Sequence, residues 1–271
     1  TWMNLSLLYR HQFADDHKIS IDLNHSNWDN TRNEYSSSVL LTPGSELDSV
    51  NSLQQVTLGK ESNPAYNLKL DYSYAPIKAL TIELGHKIEA ETHPSDVTTK
   101  VYDFYTNTYH VDSTQTLNAT PHNSLYAFYS NFGYSFTDDI SMQVGARYEH
   151  AAIGGTFRDT TIERAYPNLF PSASISWKLS QEYQLTANYN RSIQLPWVNI
   201  LNPRATRSSS TSQFVGNPEI RPEFTHSLEL SANAFLGSTT ITISPYYKKT
   251  VDEIKLNSVL INDIYTNSYV N

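Results

Sequence analysis

Apolar and polar side chains alternate through almost every extended stretch of this 271-residue chain; Leu80, Ile82, Leu84, His86 and Ile88 against Thr81, Glu83, Gly85, Lys87 and Glu89 set the rule. A strand points successive side chains to opposite faces, so a period of two sustained over many segments requires long strands that part an apolar phase from an aqueous one. Ile19, Ile21 and Leu23 follow the rule, as do Tyr66, Leu68, Leu70, Tyr72 and Tyr74. So do Tyr126, Phe128, Phe132, Tyr134 and Phe136, and then Ile140, Met142, Val144, Ala146 and Tyr148. Ile175, Trp177 and Leu179, then Tyr183, Leu185, Ala187 and Tyr189, and then Leu228, Leu230, Ala232 and Ala234 with Ile241 and Ile243 complete the series. No amphipathic helix of useful length interrupts it.

Composition bears on which phase lies on which side. Nineteen Tyr, ten Phe and four Trp sit in a chain of mean hydropathy -0.47. Tyr and Trp are enriched where a protein crosses from hydrocarbon to water, since the ring can bury while its polar atom stays hydrated. No apolar run approaches the roughly 20 residues of a transmembrane helix, so any crossing is made by strands. The absence of Cys excludes a disulfide framework, Cys-based zinc sites and thiol nucleophiles, and the net charge of -8 argues against a nucleic-acid partner. The chain opens at Thr1 inside an alternating segment without a secretory signal, which reads as an internal piece of something longer.

The connections alternate in length. Turns at Ala14 to His17, Pro76 to Lys78, Thr137 to Asp139, Ser180 to Glu182 and Gly237 to Ser238 are tight, and polar excursions near 35–50, 93–120, 155–167 and 194–223 lie between them. Short turns at one rim and long loops at the other are the pattern of a transmembrane β-barrel. The beat fails once, near Val251 to Glu253, where a short connection falls where a long one is due. Segments 78–91, 123–136 and 140–153 reach the roughly 9 to 11 residues that a tilted membrane strand needs. Phe13, Tyr74, Tyr134, Phe136, Trp177, Tyr183 and Phe235 gather beside the tight turns, where an inner-rim girdle belongs. Mid-strand Lys69, Asp71, Glu83, Lys87, Arg147, Glu149 and Glu229 then face a wet lumen, because a cation at the bilayer midplane costs roughly 2 to 4 kcal/mol. The expectation is an all-β, antiparallel, up-and-down transmembrane barrel, present as an incomplete arc of about 11 or 12 strands, with residues 1–271 forming part of one barrel domain.

Several blocks carry a family resemblance: YNLKLDYSYAP (66–76), LTIELGHKIE (80–89), LYAFYSNFGYSF (125–136), ISMQVGARYEH (140–150), YPNLFPSASISWKL (166–179), and above all YNRSIQLPWVNILNP (189–203) leading to GNPEIRPEFTHSLELS (216–231). Together with the early LSLLYRHQF and KISIDLNHS, they resemble the barrel of TonB-dependent receptors, in particular the outer-membrane β-barrel family abundant in Bacteroidetes. Leu195-Pro196 stands where that family usually shows Arg-Pro, nothing resembles the plug domain or its TonB-contacting box, and Val270-Asn271 replaces the terminal aromatic of outer-membrane barrels. The resemblance implies an outer-membrane receptor of a Gram-negative bacterium that imports a scarce or bulky nutrient. Its partners would be outer-membrane lipid, a nutrient ligand of unknown class, and the TonB complex through a plug not present in this chain. It implies no cofactor and no enzymatic activity.

Gly216, Asn217, Pro218 and Glu219 with Pro222 and Glu223 read as a rigid turn leading from a long external loop into the strand at Thr225, with substrate contact as the competing reading. Arg204 and Arg207, among Ser and Thr residues, could meet an anionic ligand or simply be solvated. The pairs His11 and His17, His86 and His93, and His110 and His122 lack helical zinc spacing, so no metal site is expected. Asp138 and Asp139 are turn residues and no Gly-x-Ser-x-Gly elbow occurs, so no catalytic residue is assigned. A passive pore or adhesin barrel and a soluble Tyr-rich glycan-binding β-protein are the alternatives.

Overall fold

The computed structural model describes residues 1–49, 52–113, 115–157, 160–209 and 211–271. The first nine strands are β1 (Trp2–Ala14), β2 (His17–Ser38), β3 (Leu53–Ser62), β4 (Ala65–Ile77), β5 (Leu80–Thr92), β6 (Ser95–Asp103), β7 (Thr108–Val111), β8 (Leu117–Ser135) and β9 (Ile140–Phe157). They are followed by β10 (Thr160–Lys178), β11 (Tyr183–Gln194), the single-turn helix α1 (Val198–Leu201), β12 (Ala205–Ser209), β13 (Ser212–Val215), β14 (Glu223–Leu236), β15 (Thr239–Ile243), β16 (Tyr246–Val251), β17 (Lys255–Ile261) and β18 (Ile264–Val270). The wall is one antiparallel sheet in the order β1, β2, β4, β5, β8, β9, β10, β11, β14, and then β15 with β16. These eleven segments occupy ten positions, since β15 and β16 share one partner, and β3, β6 and β7 bring the sheet to fourteen. Among the described residues no ladder joins β1 to β15 or β16, so the sheet is an arc with two open edges.

Prolines divide strands that the register shows to be continuous. Asp29 faces Ser62 on β3 and Ser26 faces Ala65 on β4, three residues further along each strand, so β3 and β4 are one line broken only at Asn63-Pro64. β5 and β6 continue each other across His93-Pro94 in the same way, with Thr92 opposite His122 and Ser95 opposite Ala119. β15 and β16 do so across Ser244-Pro245, where Leu230 N–H still donates to the Pro245 carbonyl at 3.0 Å. A proline lacks the N–H of one ladder rung but does not shift the pairing.

This continuity corrects three of the expected loops. In 35–50, β2 carries on to Ser38. In 93–120, the chain climbs through β6, turns into β7 and returns as β8. The stretch 155–167 is a tall hairpin, with Thr160 opposite Phe157; residues 158–159 lie outside the described set. Polar side chains on both faces look like loop sequence, yet strands standing above a membrane have water on both sides. β8 and β10 have 19 residues each. At about 3.4 Å per residue and about 40° of tilt such a strand rises about 50 Å, twice the roughly 25 Å apolar band of a barrel. The missing long connection after Val251 is also present: β17 and β18 form a hairpin there, closed by Asn262 and Asp263, both in the left-handed region.

The outward face is apolar and solvent-exposed in the isolated chain. Leu5, Leu7, Phe128, Phe132, Ile175, Leu185 and Leu230 all lie there with substantial exposure. Leu80, Ile82 and Leu84 are likewise part-exposed rather than enclosed in a compact core. Tyr66 and Tyr74 on β4, and Tyr126 and Tyr134 on β8, are eight residues apart on that face. Eight residues of tilted strand rise about 21 Å, which sets two aromatic girdles near the borders of the apolar band.

Candidate functional site: the mouth of the barrel

The inward face of the lower wall is a lattice of charges. Lys69 pairs with Asp71 at 2.8 Å, Lys87 with Glu89 at 2.7 Å and Arg147 with Glu149 at 2.7 Å. Each pair is two residues apart on one strand and so shares a face. Lys69 and Lys87 lie directly opposite each other on β4 and β5, an arrangement that is destabilising unless each has its own counter-charge. Asp71 also accepts from the Tyr129 hydroxyl, and Asn131 Nδ2 donates to Glu83 at 3.3 Å.

Higher up, the same inward face becomes apolar. On β9 the inward series runs from Gln143, Arg147 and Glu149 to Ala151, Ile153 and Phe157. Phe157 and Ile153 are buried, together with Ala119 of β8 and Ile162 of β10. What covers them is the segment between β11 and β14: Val198, Ile200 and Leu201 of α1, and Ile220 just before β14. The expected external loop 194–223 is therefore folded inward, across the mouth of the arc. Fully burying Leu201 and Ile220 contributes on the order of 1.5 to 3 kcal/mol each, enough to hold α1 although Trp197 offers no side-chain cap.

The Gly-Asn-Pro-x-x-x-Pro-Glu segment is the clasp of this fold. Gly216 N–H donates to Asn202 O at 2.9 Å and Asn217 N–H to Ile200 O at 2.6 Å, pinning the segment to the end of α1. A Cβ on Gly216 would lie 2.3 Å from Asn202 O and 2.6 Å from Ile200 O, so only glycine permits this approach. Asn217 Nδ2 donates to Tyr269 O at 3.2 Å, and its Oδ1 accepts from Glu219 N–H at 3.0 Å. Arg164 of β10 reaches Pro218 O at 3.0 Å and the Glu219 carboxylate at 2.6 Å. Tyr166 donates to Ile220 O at 3.3 Å, and burial pushes its hydroxyl pKa up, with Arg164 opposing and Glu219 adding to the shift. Glu223 accepts from Ile254 N–H at 2.6 Å, and Arg221 pairs with Asp252 at 2.8 Å. Pro222 is buried beside them.

Arg204 and Arg207 both ride on this inward segment. Arg204 N–H donates to Asn202 Oδ1 at 3.1 Å, while its Nη1 is buried without a hydrogen-bond partner. Arg207 lies opposite Gln213 in the β12–β13 hairpin. Residues that sequence reading passed over complete the clasp: Arg164, Tyr166, Ile254 and Asn271, whose Nδ2 donates to Arg221 O at 2.9 Å and Asp252 O at 2.7 Å. Two signals pointed that way: Asn262-Asp263 between Ile261 and Ile264 is a two-residue hairpin signature, and Ile153 and Phe157 break the polar phase of β9.

Beneath the inward segment, between it and the wall, lies a cavity of ≈ 610 Å³ lined by Asn67, Glu89, Glu91, Asn123, Arg147, Leu195 and Trp197 among others. Carboxamides, carboxylates and one guanidinium share this lining with Tyr66, Leu125, Ile153 and Ile193, so the cavity offers both hydrogen bonds and apolar contact. Among the described residues no three His, Cys, Asp or Glu side chains gather as a metal site. His11, Phe13 and His17 pack ring to ring at the short-turn rim, and His17 Nε2 lies 2.7 Å from the Tyr72 hydroxyl. His93 pairs with Glu91 at 3.0 Å and His122 with Glu163 at 3.2 Å.

An apolar outer belt and a charged lumen are the two faces of an outer-membrane β-barrel wall, and a folded-in segment covers its mouth. The chain belongs to the outer membrane protein β-barrel family, whose sequence profile matches residues 11–271. Solved structures share the fold: the copper transporter OprC (TM-score 0.67, 13% identity, 98% of this chain and 42% of that one) and the unliganded ferric citrate transporter FecA (0.63, 14%, 92% and 34%). The ferripyoverdine receptor of the Pseudomonas aeruginosa outer membrane is similar too (0.61, 12%, 99% and 36%). These are barrels of TonB-dependent receptors, and this chain spans between a third and a half of their length. No curated protein matches the sequence. Family membership places the chain in the Gram-negative outer membrane.

Proposed function

We propose that this chain is the wall and external mouth of a TonB-dependent receptor that imports a scarce or bulky nutrient, and that residues 1–271 are part of one barrel domain whose plug lies outside this chain. The observation that carries this reading is the segment 194–223 folded over the lumen face of β8–β10 above a cavity of mixed polar and apolar lining. A passive pore works best with an open mouth; a receptor needs a covered one that holds ligand until transport begins. In this mechanism ligand lodges between the wall and the mouth, and force delivered through TonB displaces the plug below it. The lumen charges of β4, β5 and β9 would face that plug. The motif Gly216 to Glu223 sets the mouth's shape through its clasp, and Arg204 and Arg207 border the ligand's approach. The belt of exposed Leu, Ile, Phe and Tyr on the outward face of most wall strands argues against the soluble glycan-binding alternative.

The test removes both 93–120 and 194–223 from the full receptor and measures nutrient uptake by cells. Uptake should be lost while the barrel still inserts. Undiminished uptake would show that these segments take no part in capture. A plug encoded in the same reading frame distinguishes the receptor from a pore or adhesin.

A further inference from the structure

Three basic side chains form one cross-strand row on the outer face of the wall: Arg191 of β11 lies opposite His226 of β14, which lies opposite Lys249 of β16. Their outward phase follows from the register, because the next row toward the short-turn rim is Tyr189, Leu228 and Tyr247, and the next row away from it is Ile193, Phe224 and Val251. None of these six neighbours is acidic. Among the described residues, no ion pair engages Arg191, His226 or Lys249. A basic row without counter-charges is unusual in a chain of net charge -8.

Height along the wall decides what such a row can meet. Arg191 stands eight residues above Tyr183 at the lower end of β11, and His226 ten above Leu236 at the lower end of β14. With about 3.4 Å per residue and about 40° of tilt, these are about 21 and 26 Å above the short-turn rim, which is the upper border of a roughly 25 Å apolar band. Neighbouring strands are about 4.8 Å apart, so the row spans about 10 Å in the plane of the outer-leaflet headgroups. The arginine is held within the seam: Nη1 donates to Leu169 O at 2.9 Å, and its guanidinium lies 4.3 Å from the centre of the outward Phe224 ring and 5.8 Å from that of Phe170. It fills the seam where β11 leaves β10, whose pairing ends at Ser172 opposite Asn190. His226 Nδ1 lies 3.0 Å from the Tyr189 hydroxyl. A strand added at the open edge of β16 would leave this outward face uncovered.

We propose that Arg191, His226 and Lys249 bind the phosphate groups of a phosphorylated glycolipid in the outer leaflet, whose acyl chains lie along Tyr189, Leu228 and the apolar side chains below. The row faces away from the lumen, so it does not serve the imported ligand. Guanidinium and ammonium supply charge-assisted hydrogen bonds to phosphate oxygens, and the apolar row below matches the hydrocarbon of the same molecule.

The experiment uses the full receptor in phosphatidylcholine nanodiscs that carry either bisphosphorylated lipid A or its dephosphorylated form, with retained lipid counted by native mass spectrometry. The native receptor should retain the phosphorylated form roughly ten- to thirty-fold better, the scale that two cations at a membrane surface provide. Arg191→Gln with Lys249→Gln should bring retention down to the dephosphorylated level, while Lys60→Gln, which removes a cation on another strand, should leave it unchanged. Equal retention of the two lipids by the native receptor overturns the proposal whether or not the double variant folds. Unchanged retention in a folded double variant does so too, and displacement by millimolar inorganic phosphate would assign the row to the free anion instead of the lipid.

Discussion

The lower and upper halves of β9 carry the same two-residue alternation and end in opposite environments. Below, inward Arg147 and Glu149 pair with each other beside an aqueous lumen, and outward Val144 and Tyr148 meet lipid. Above, inward Ile153 and Phe157 are buried beneath Leu201 and Ile220, and outward Thr156 meets water. The apolar phase changes sides along one strand. Hydrophobic burial drives both halves, but lipid supplies the apolar partner in one and the chain itself in the other. The lower half is thus fixed by its solvent and the upper half by tertiary contacts.

The contrast can be broken most forcefully in the upper half. Phe157→Ala should destabilise the mouth by about 3 to 5 kcal/mol, read as protease cleavage within 194–223 while the lower wall stays folded. If cleavage is unchanged, the inward-folded segment does not depend on this core. In the lower half, Leu70→Lys, midway between the girdle residues Tyr66 and Tyr74, should cost roughly 2 to 4 kcal/mol in a bilayer, measured by denaturant titration of the folded receptor, and Ile200→Lys should not respond to bilayer thickness. Arg164→Ala sharpens the comparison at the clasp: loss of its bonds to Pro218 and Glu219 should cost about 0.5 to 1.5 kcal/mol, since the ion pair itself is solvent-screened. Hydrogen exchange at Gly216 and Asn217 should quicken, with exchange in β4 and β5 unchanged.

The smallest effect concerns the β6–β7 turn. Backbone N–H groups of Tyr105 and Thr106 hold the Asp103 carboxyl below its ordinary range. A depressed folded pKa contributes stability above the unfolded value near 3.8 that is lost as pH falls through the lower folded value. The Tyr105 and Thr106 amides should therefore stay protected at neutral pH and lose protection only in acid below the ordinary carboxylate range. Asp103→Asn should abolish that pH dependence.

Much of the wall was legible in the residues. The tight turns at Ala14 to His17 and Thr137 to Asp139, the lumen-facing charges and the rim aromatics fall where alternation and turn chemistry put them, because each depends on neighbours one or two positions away. The inward fate of 194–223 was not legible. Val198, Ile200 and Leu201 look like a short apolar patch in a polar loop until Ile153, Phe157 and Ile162 are brought beneath them from distant strands. The tall hairpins were hidden for another reason: where water bathes both faces, a strand keeps no apolar period, so Thr160 to Tyr166 reads as loop although every residue is paired.

By itself the sequence determined a two-faced wall with one greasy and one wet side, since a period of two is a local property that any backbone in extended form must express. Tertiary structure alone decided which prolines merely interrupt a strand, how far the strands rise above the bilayer, and which loop closes over the mouth. Those outcomes rest on register and on long-range burial, and both require residues far apart in the chain to meet before their free energy is gained.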